Sequence, residues 1–223
     1  MISARSVLTT VLLASLLLAS SIYEPSYARQ QHAASLPDAS VTHSQARLCS
    51  AMEASRNSKQ TIEAFDFKRA AEEADIVVGV EILKLVEELE QPSPKTLWQA
   101  KVLTVWKGDA ALDTIHILQA GNSCTDYVSS KLMKPQEQYV LFLKQAVSVK
   151  QPDSYWILGE ETTIYQVAED NYLVKHAYPD PELKEIEQSK LARYYKHELG
   201  LTTQVQVLEE QAFYNKLQAQ LHQ

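Results

Sequence analysis

This 223-residue sequence lacks an excess of positive charge and lacks a second long apolar run. It carries 21 Lys and Arg against 28 Asp and Glu, a formal net charge of -7. A nucleic-acid binder normally shows a basic patch or stripe, so we expect no nucleic-acid partner. No apolar run of membrane-spanning length follows the first 23 residues. We therefore expect no stable membrane span once that first run is removed.

The sequence also lacks the local signatures of common enzyme classes. It contains no Gly-x-Ser-x-Gly elbow, no His-Glu-x-x-His, no phosphate-binding loop and no dinucleotide fingerprint. We therefore assign no catalytic residue, no cofactor and no metal. Glu160 and Glu161 could act as an acid-base pair, although acids of a surface turn are the commoner explanation. His116 lies on a predicted strand without a second His or Cys at ligand spacing, which favours packing or surface exposure over metal binding.

The first 28 residues have the pattern of a secretory signal. One positive charge at Arg5 precedes a charge-free, Leu-rich run over 7–20, and the small residues Ser26 and Ala28 occupy the positions that a signal peptidase reads. We expect cleavage after Ala28 and a secreted, periplasmic or cell-envelope location. The alternative is an uncleaved anchor, because 7–23 is at the lower edge of spanning length. No Cys near residue 28 offers an attachment point for a lipid.

Composition and patterning divide the rest of the chain into three parts. Residues 29–48 mix Gln, His, Ala, Ser and Thr without periodicity, which is typical of a flexible leader. Residues 49–178 are predicted to form a β-barrel domain, and residues 179–223 a helical extension. Apolar residues make up 45% and charged residues 22% of the chain, so the body can bury a core.

Short runs rich in β-branched and aromatic residues predict a mainly β, α+β fold. One amphipathic helix is expected over 61–73. Strands are expected over 76–85, 97–106, 114–119, 139–143, 155–158, 163–167 and 172–174. Five to seven strands after one helix favour a small antiparallel barrel, and Gly79 inside the first strand indicates a bulge or bend. Trp98 and Trp106 are predicted to fall on one face of the second strand. One interpretation is a platform that binds a glycan or peptide, and the other is packing in the core.

The residues after 179 have helical periodicity. We expect one amphipathic helix over 181–199 and a second after Thr202 or Thr203 that extends to Leu221. The first interpretation is that the two helices pack against each other and against one barrel face. The second is that they bind a partner. An apolar stripe facing solvent over 205–221 would favour the partner.

The two cysteines, Cys49 and Cys124, carry the most specific chemical inference. An exported chain meets an oxidising compartment, where a pair of cysteines is more often a disulfide than a site. The bond would close a loop of about 75 residues and stabilise the fold by about 4 kcal/mol. The alternative is a catalytic or metal-binding thiol, but neither Cys has a neighbouring His, Lys or second Cys that would lower its pKa.

A resemblance to a known family rests on four segments in order. They read Ala-Asp-Ile-Val-Val-Gly over 74–79, Val-Leu-Thr-Val-Trp-Lys-Gly over 102–108, Gly-Asn-Ser-Cys over 121–124, and Lys-Pro-Gln-Glu-Gln-Tyr-Val-Leu-Phe-Leu over 134–143. The stretch 49–143 resembles exported bacterial proteins of the tissue-inhibitor-of-metalloproteinases, or netrin-like, group. The resemblance implies an OB-like five-stranded barrel to which a disulfide pins the N-terminal segment. In the animal members, the free amino group of a terminal Cys-x-Cys chelates a protease zinc.

This chain departs from the pattern of those animal inhibitors. Ala51 stands where they have the second Cys, and the expected mature terminus lies about 20 residues before Cys49. The resemblance therefore implies an exported binding module that is protease-inhibitor-like or associated with the envelope, with a protein as partner. The alternatives are an exported hydrolase with an unrecognised site, and an accessory protein that binds a partner through its C-terminal helices.

Overall fold

The computed structural model describes residues 64–90, 93–123, 131–147, 151 and 153–222. These residues all belong to one compact unit. The predicted signal and its cleavage after Ala28, the leader 29–48, and the proposed disulfide partners Cys49 and Cys124 lie outside the described residues. The first three residues of the predicted helix, 61–63, also lie outside them.

Eight strands and three α-helices make up the described fold. The strands are β1 (Ile76–Leu89), β2 (Lys95–Lys107), β3 (Thr114–Ala120), β4 (Gln138–Gln145), β5 (Ser154–Ile157), β6 (Ile164–Ala168), β7 (Tyr172–Lys175) and β8 (Gln206–Glu209). The α-helices are α1 (Phe67–Glu73), α2 (Ala192–Glu198) and α3 (Glu210–Leu221). Shorter 3-10 segments are Glu160–Thr163, Glu169–Asn171, Pro181–Ile186 and Ser189–Leu191.

The first five strands close into a small barrel. Neighbours around it are β1, β2, β3, β5 and β4, and β4 returns to pair with β1. Every neighbouring pair is antiparallel except β3 and β5, which run parallel. Strands β6, β7 and β8 continue the sheet outward from β4. The prediction of an α+β fold built on an OB-like five-stranded barrel is therefore confirmed.

The bulge predicted at Gly79 is present. Gly79 pairs with Thr104, whereas the next residue of β1, Val80, pairs with Val102. One extra residue of β2 is therefore accommodated here, which increases the twist of the strand pair. A Cβ at position 79 would lie 3.2 Å from the Trp106 ring. Glycine thus lets this indole lie directly on the backbone of β1.

The sheet has a hydrophobic cluster on each of its two faces. Residues that point into the barrel form one cluster, which includes Val80, Ile82, Trp98, Ile117 and Leu141. Residues on the outer face of β1, β4 and β6 form a second cluster with α1 and α3. There Phe67 meets Phe142 and Phe213 edge to face, with ring centroids 6.1 and 5.4 Å apart. Such contacts add to the area that the rings bury.

The C-terminal part differs from the predicted pair of long helices. The first stretch is two 3-10 segments followed by the seven-residue helix α2. The second stretch begins as strand β8 and becomes helical only at Glu210. Strand β7 offers a free edge, and pairing with it overrides the helical periodicity of residues 205–209. None of the described helices is both long enough and apolar enough for a membrane span.

The apolar residues of this part face the core. Val205, Val207, Leu208, Phe213 and Leu217 are all buried. The stripe over 205–221 that would have favoured a partner for the C-terminal helices is therefore covered by the protein itself.

Carboxylates from two parts of the chain hold the start of α1. The N-cap Asp66 accepts from Arg69 N at 2.8 Å, and Asp180 accepts from Phe67 N at 2.6 Å. Glu182 accepts from Lys68 N at 2.9 Å. These N–H groups have no partner within the helix, so the acids satisfy them and complement the helix dipole. The contacts also fasten the segment after β7 to α1.

Lys175 is the most deeply buried cation of the described residues. Its side chain is 1% exposed and lies on the outer face of β7. Its ammonium donates to the carbonyl of Thr162 and lies 5.3 Å from the centroid of the Tyr165 ring. Burial lowers the pKa of Lys175 to about 8, and the charge of Asp180 opposes the shift only in part. A charged amine is costly here because few dipoles replace its water.

A Lys175→Met variant should respond to alkaline pH differently from the natural chain. Between about pH 8 and pH 10.5 the unfolded state binds more protons at this lysine than the folded state does, so the natural chain gains stability as pH rises. The Met variant lacks this gain. We expect the difference in unfolding free energy between the two proteins to change by about 3 kcal/mol across that window, measured by urea denaturation.

Lys101→Met, at an exposed lysine of β2, is the matched control and should leave the slope unchanged. Parallel curves for the natural chain and Lys175→Met would contradict the prediction.

Candidate functional site

The hairpin between β1 and β2 extends past the barrel at one end. Among described residues, β1 pairs with β4 as far as Glu81, and from residue 83 onward it pairs with β2 alone. We call residues 83–90 and 93–97 the arm. Leu83 and Leu85 of the arm are 41% and 44% exposed. Register shifts on either side of these leucines bend the arm, which limits its use as a flat pairing edge.

Gln119, near the end of β3, holds residues 131–133 of the connection between β3 and β4 at the same barrel end. The Gln119 amide oxygen accepts from Trp98 Nε1 and from Met133 N, both at 3.0 Å. Its amide nitrogen donates to the carbonyl of Lys131 at 3.1 Å. Because Trp98 Nε1 and Met133 N are both donors, the amide atom that faces them must be the oxygen, and this fixes the orientation of the Gln119 amide. Gln119 is 2% exposed, so the two bonds to its oxygen are shielded from water, whereas the bond to Lys131 is partly buried.

The arm is fastened to the residues that follow β3. The Glu88 carboxylate accepts from Ser123 N at 2.7 Å and from Ser123 Oγ at 2.8 Å. Thr96 Oγ1 donates to the carbonyl of Gly121 at 2.8 Å, and Gly121 N donates to the carbonyl of Pro94 at 2.9 Å. The backbone directly before Cys124 is thus held against the arm. The proposed disulfide itself stays a prediction, since its sulfurs lie outside the described residues.

At the base of the arm, the turn before β4 carries opposite charges. Ile82 N donates to the carbonyl of Glu137 at 3.0 Å, and Gln136 N donates to the carbonyl of Ile82 at 2.7 Å. The Tyr139 hydroxyl donates to the Glu137 carboxylate, which also lies 3.5 Å from Lys134 Nζ. Burial, together with the Glu137 charge, raises the pKa of Tyr139. The hydroxyl therefore stays protonated and acts as a donor.

The residues that the sequence singled out for possible chemistry do not come together. His116 lies on β3, where it pairs with Gln99 and Ser154. Within the described ranges, no group of three or more His, Cys, Asp or Glu is placed to hold a metal. Glu160 and Glu161 form a 3-10 turn after Gly159, far along the chain from the arm.

Glu160 and Glu161 were interpreted as acids of a surface turn, and this interpretation is wrong for Glu161. Glu161 is 2% exposed, and Oε2 of Glu160 is buried without a hydrogen-bond partner. The turn is drawn inward because Gly159 (φ 67°) lies against Phe65, where a Cβ would come within 2.6 Å of the ring.

The two tryptophans predicted to share one strand face point to opposite faces. Trp98 enters the barrel, whereas Trp106 stacks on Tyr214 of α3 with ring centroids 5.0 Å apart. The extra residue in β2 opposite Gly79 reverses the alternation between them. The platform hypothesis is therefore wrong, and core packing is confirmed. A third indole, that of Trp156 on β5, has Lys95 Nζ 4.7 Å from its ring centroid.

Sequence reasoning missed the residues that build this barrel end. Gln119 and Glu88 were unremarkable polar residues of a strand and a predicted loop. Their partners lie 12 to 35 residues away along the chain, so no local motif marks them. A buried alternation in β3, with Gln119 on the same face as Ile115 and Ile117, was the available signal.

A Gln119→Leu variant should lose stability because it leaves two buried N–H groups and one partly buried carbonyl without partners. We expect the unfolding free energy to fall by about 2–4 kcal/mol, measured by chemical denaturation. Gln99→Leu applies the same change on the neighbouring strand and the opposite, partly exposed face, and should stay within about 0.5 kcal/mol. Equal losses in the two variants would show that Gln119 has no special role.

No family model matches the chain, and a search of curated proteins found no match.

Proposed function

We propose that this chain is an exported binding module whose netrin-like barrel recognises a protein, either a protease or another component of the envelope. Recognition takes place at the barrel end that carries the arm. The observation that carries the proposal is the pair of exposed leucines, Leu83 and Leu85, on an arm that is hydrogen-bonded to the β3–β4 connection.

The fastening of the arm supports a binding role. Backbone bonds at Ile82 and the Glu88–Ser123 contacts hold the arm in one position before any partner arrives. A preorganised surface loses less conformational entropy on binding than a loose loop does. The leucines offer apolar area that a partner can cover, which is the common source of affinity in protein complexes.

The charges beside the leucines indicate the chemistry of the partner. Glu87 and Glu90 of the arm are exposed and outnumber the exposed Lys84 between the leucines, and the net charge of the chain is also negative. A partner with apolar side chains flanked by cationic ones would be complementary to this surface. A polyanion such as nucleic acid would be repelled.

The resemblance to the netrin-like group supports the same proposal at the level of the scaffold. The order of strands around the barrel is the OB-like one that the resemblance implies. A protease is therefore the first partner class to examine. The alternative that places binding on the C-terminal helices has less support, since Phe213 and Leu217 of α3 face the core.

Photo-crosslinking of the full exported chain tests the proposed surface. A photoreactive benzoylphenylalanine replaces Leu83 in one variant and Leu103 in another. Leu103 has the same 44% exposure as Leu85 but lies on β2 away from the arm. We expect a discrete protein adduct from position 83 and none from position 103, detected on gels of the envelope fraction and of the medium.

The Leu85→Glu substitution, added to the position-83 probe, should abolish the adduct because it places a charge in the apolar contact. Leu103→Glu should leave the adduct in place. Equal adducts from both probe positions, or an adduct that survives Leu85→Glu, would contradict a partner at the arm.

Intact-mass analysis of the exported chain tests export and the disulfide together. We expect a mature chain that begins at Arg29 and gains the mass of two hydrogens on reduction, because Cys49 and Cys124 are then joined. A mass unchanged by reductant would disprove the disulfide. A chain that begins at Cys49 would disprove cleavage after Ala28 as the final step and would place a free amino group where the animal inhibitors have theirs.

A further inference from the structure

A buried histidine lies where three parts of the chain meet. His176 directly follows β7 and is 3% exposed. Its ring packs edge to face with Tyr139 of β4, with centroids 6.5 Å apart, and contacts Gln166 of β6. Lys131 and Lys134 of the β3–β4 connection are the nearest charged groups that act on it. We call this region the His176 junction.

One nitrogen of the His176 ring has a partner and the other has none. Nε2 lies 2.7 Å from Gln166 Oε1, so Nε2 carries the hydrogen and donates to that oxygen. Nδ1 is then an acceptor with a lone pair. Within the part of the chain that the structure describes, Nδ1 is buried and has no hydrogen-bond partner. The neutral ring is therefore tolerated, at the cost of one unused acceptor.

A proton on Nδ1 would make the His176 junction unfavourable. It would convert the acceptor into a charged donor that has no acceptor within reach, next to the positive charges of Lys131 and Lys134. The nearby carboxylate, Glu137, is already engaged by the Tyr139 hydroxyl and by Lys134. Burial, and to a smaller extent the two lysines, lowers the pKa of His176 to about 4.

The junction also holds the segment between α2 and β8. Thr203 Oγ1 donates to the carbonyl of His176 at 2.7 Å, and Lys131 Nζ donates to the carbonyl of Leu199 at 2.9 Å. Leu201 and Val205 pack beside Val174 of β7. Movement of His176 toward water would disturb the first of these bonds directly and the packing around it.

We propose that His176 is an acid-sensitive latch, which holds residues 199–205 against β7 at neutral pH and releases them when its imidazole takes up a proton. The released state lets the charged ring reach water, which removes the penalty of burying it. Strand β8 remains in place, because it pairs with β7 through four residue pairs that do not involve the ring. The change is therefore local opening and leaves the barrel closed.

The sign of the pH dependence follows from the two protonation states. The open state has the ordinary pKa of histidine, near 6.5, and the closed state has a pKa of about 4. Between these values the open state binds more protons, so opening becomes more favourable as pH falls and levels off below pH 4. From pH 7 to pH 4 the opening equilibrium should rise roughly a hundredfold.

Hydrogen exchange on the full chain measures this opening. The amides of Leu199, Gly200 and Leu201 close the end of α2 and should lose protection when the segment is released. After correction for the intrinsic effect of pH, we expect their protection to fall roughly a hundredfold from pH 7 to pH 4, while that of α3 stays constant. His176→Gln keeps an amide donor for Gln166 and does not titrate, so the fall should disappear.

His116→Gln, at a histidine outside the junction, is the matched control and should behave like the natural chain. Constant protection in the natural chain down to pH 4, or the same fall in His176→Gln, would overturn the proposal. If His176→Gln does not fold, Lys134→Met gives a second test. Loss of that neighbouring positive charge should raise the pKa of His176 in the closed state, so the fall in protection from pH 7 to pH 4 should become smaller, and an unchanged fall would equally overturn the latch.

Discussion

Strand β4 is the constraint on which the rest of the fold depends, because it pairs with three other strands. Its first half lies between β1 and β6, and its second half lies between β1 and β5. The barrel closes through these bonds, and the sheet continues to β7 and β8 through the same strand. Its side chains are buried on both faces: Tyr139, Leu141 and Leu143 in the barrel, Val140 and Phe142 outside. Both faces of β4 must therefore be covered by other elements.

The C-terminal part helps to cover the outer face of β4. Helices α1 and α3 close over Val140 and Phe142, and Asp180 ties the segment between them to the start of α1. The arm lies at one end of the barrel, beyond the last residue of β1 that pairs with β4. There the arm and the β3–β4 connection are held by side-chain bonds from Glu88 and Gln119. This fixed end, with its polar bonds and exposed leucines, is the surface at which we propose recognition.

Local pattern was enough to predict most of the sheet. Seven strands lie where runs of β-branched and aromatic residues predicted them, since alternation and turn residues act over a few positions. The bulge at Gly79 was predictable for the same reason. For the candidate site, the sequence led only to the hypothesis of a protein-binding module, which stays a proposal. The residues that build the barrel end with the arm did not follow from the sequence, because the roles of Gln119 and Glu88 depend on partners far along the chain.

The sequence by itself determined the α+β class, the strands of the barrel and the acidic character of the chain, because each is a property of composition or of short-range periodicity. Only the tertiary structure decided that Gln206–Glu209 is a strand, that Trp98 and Trp106 face opposite ways, and that Glu161 and His176 are buried. Each of these outcomes depends on an edge, a register shift or a neighbour supplied by a distant part of the chain.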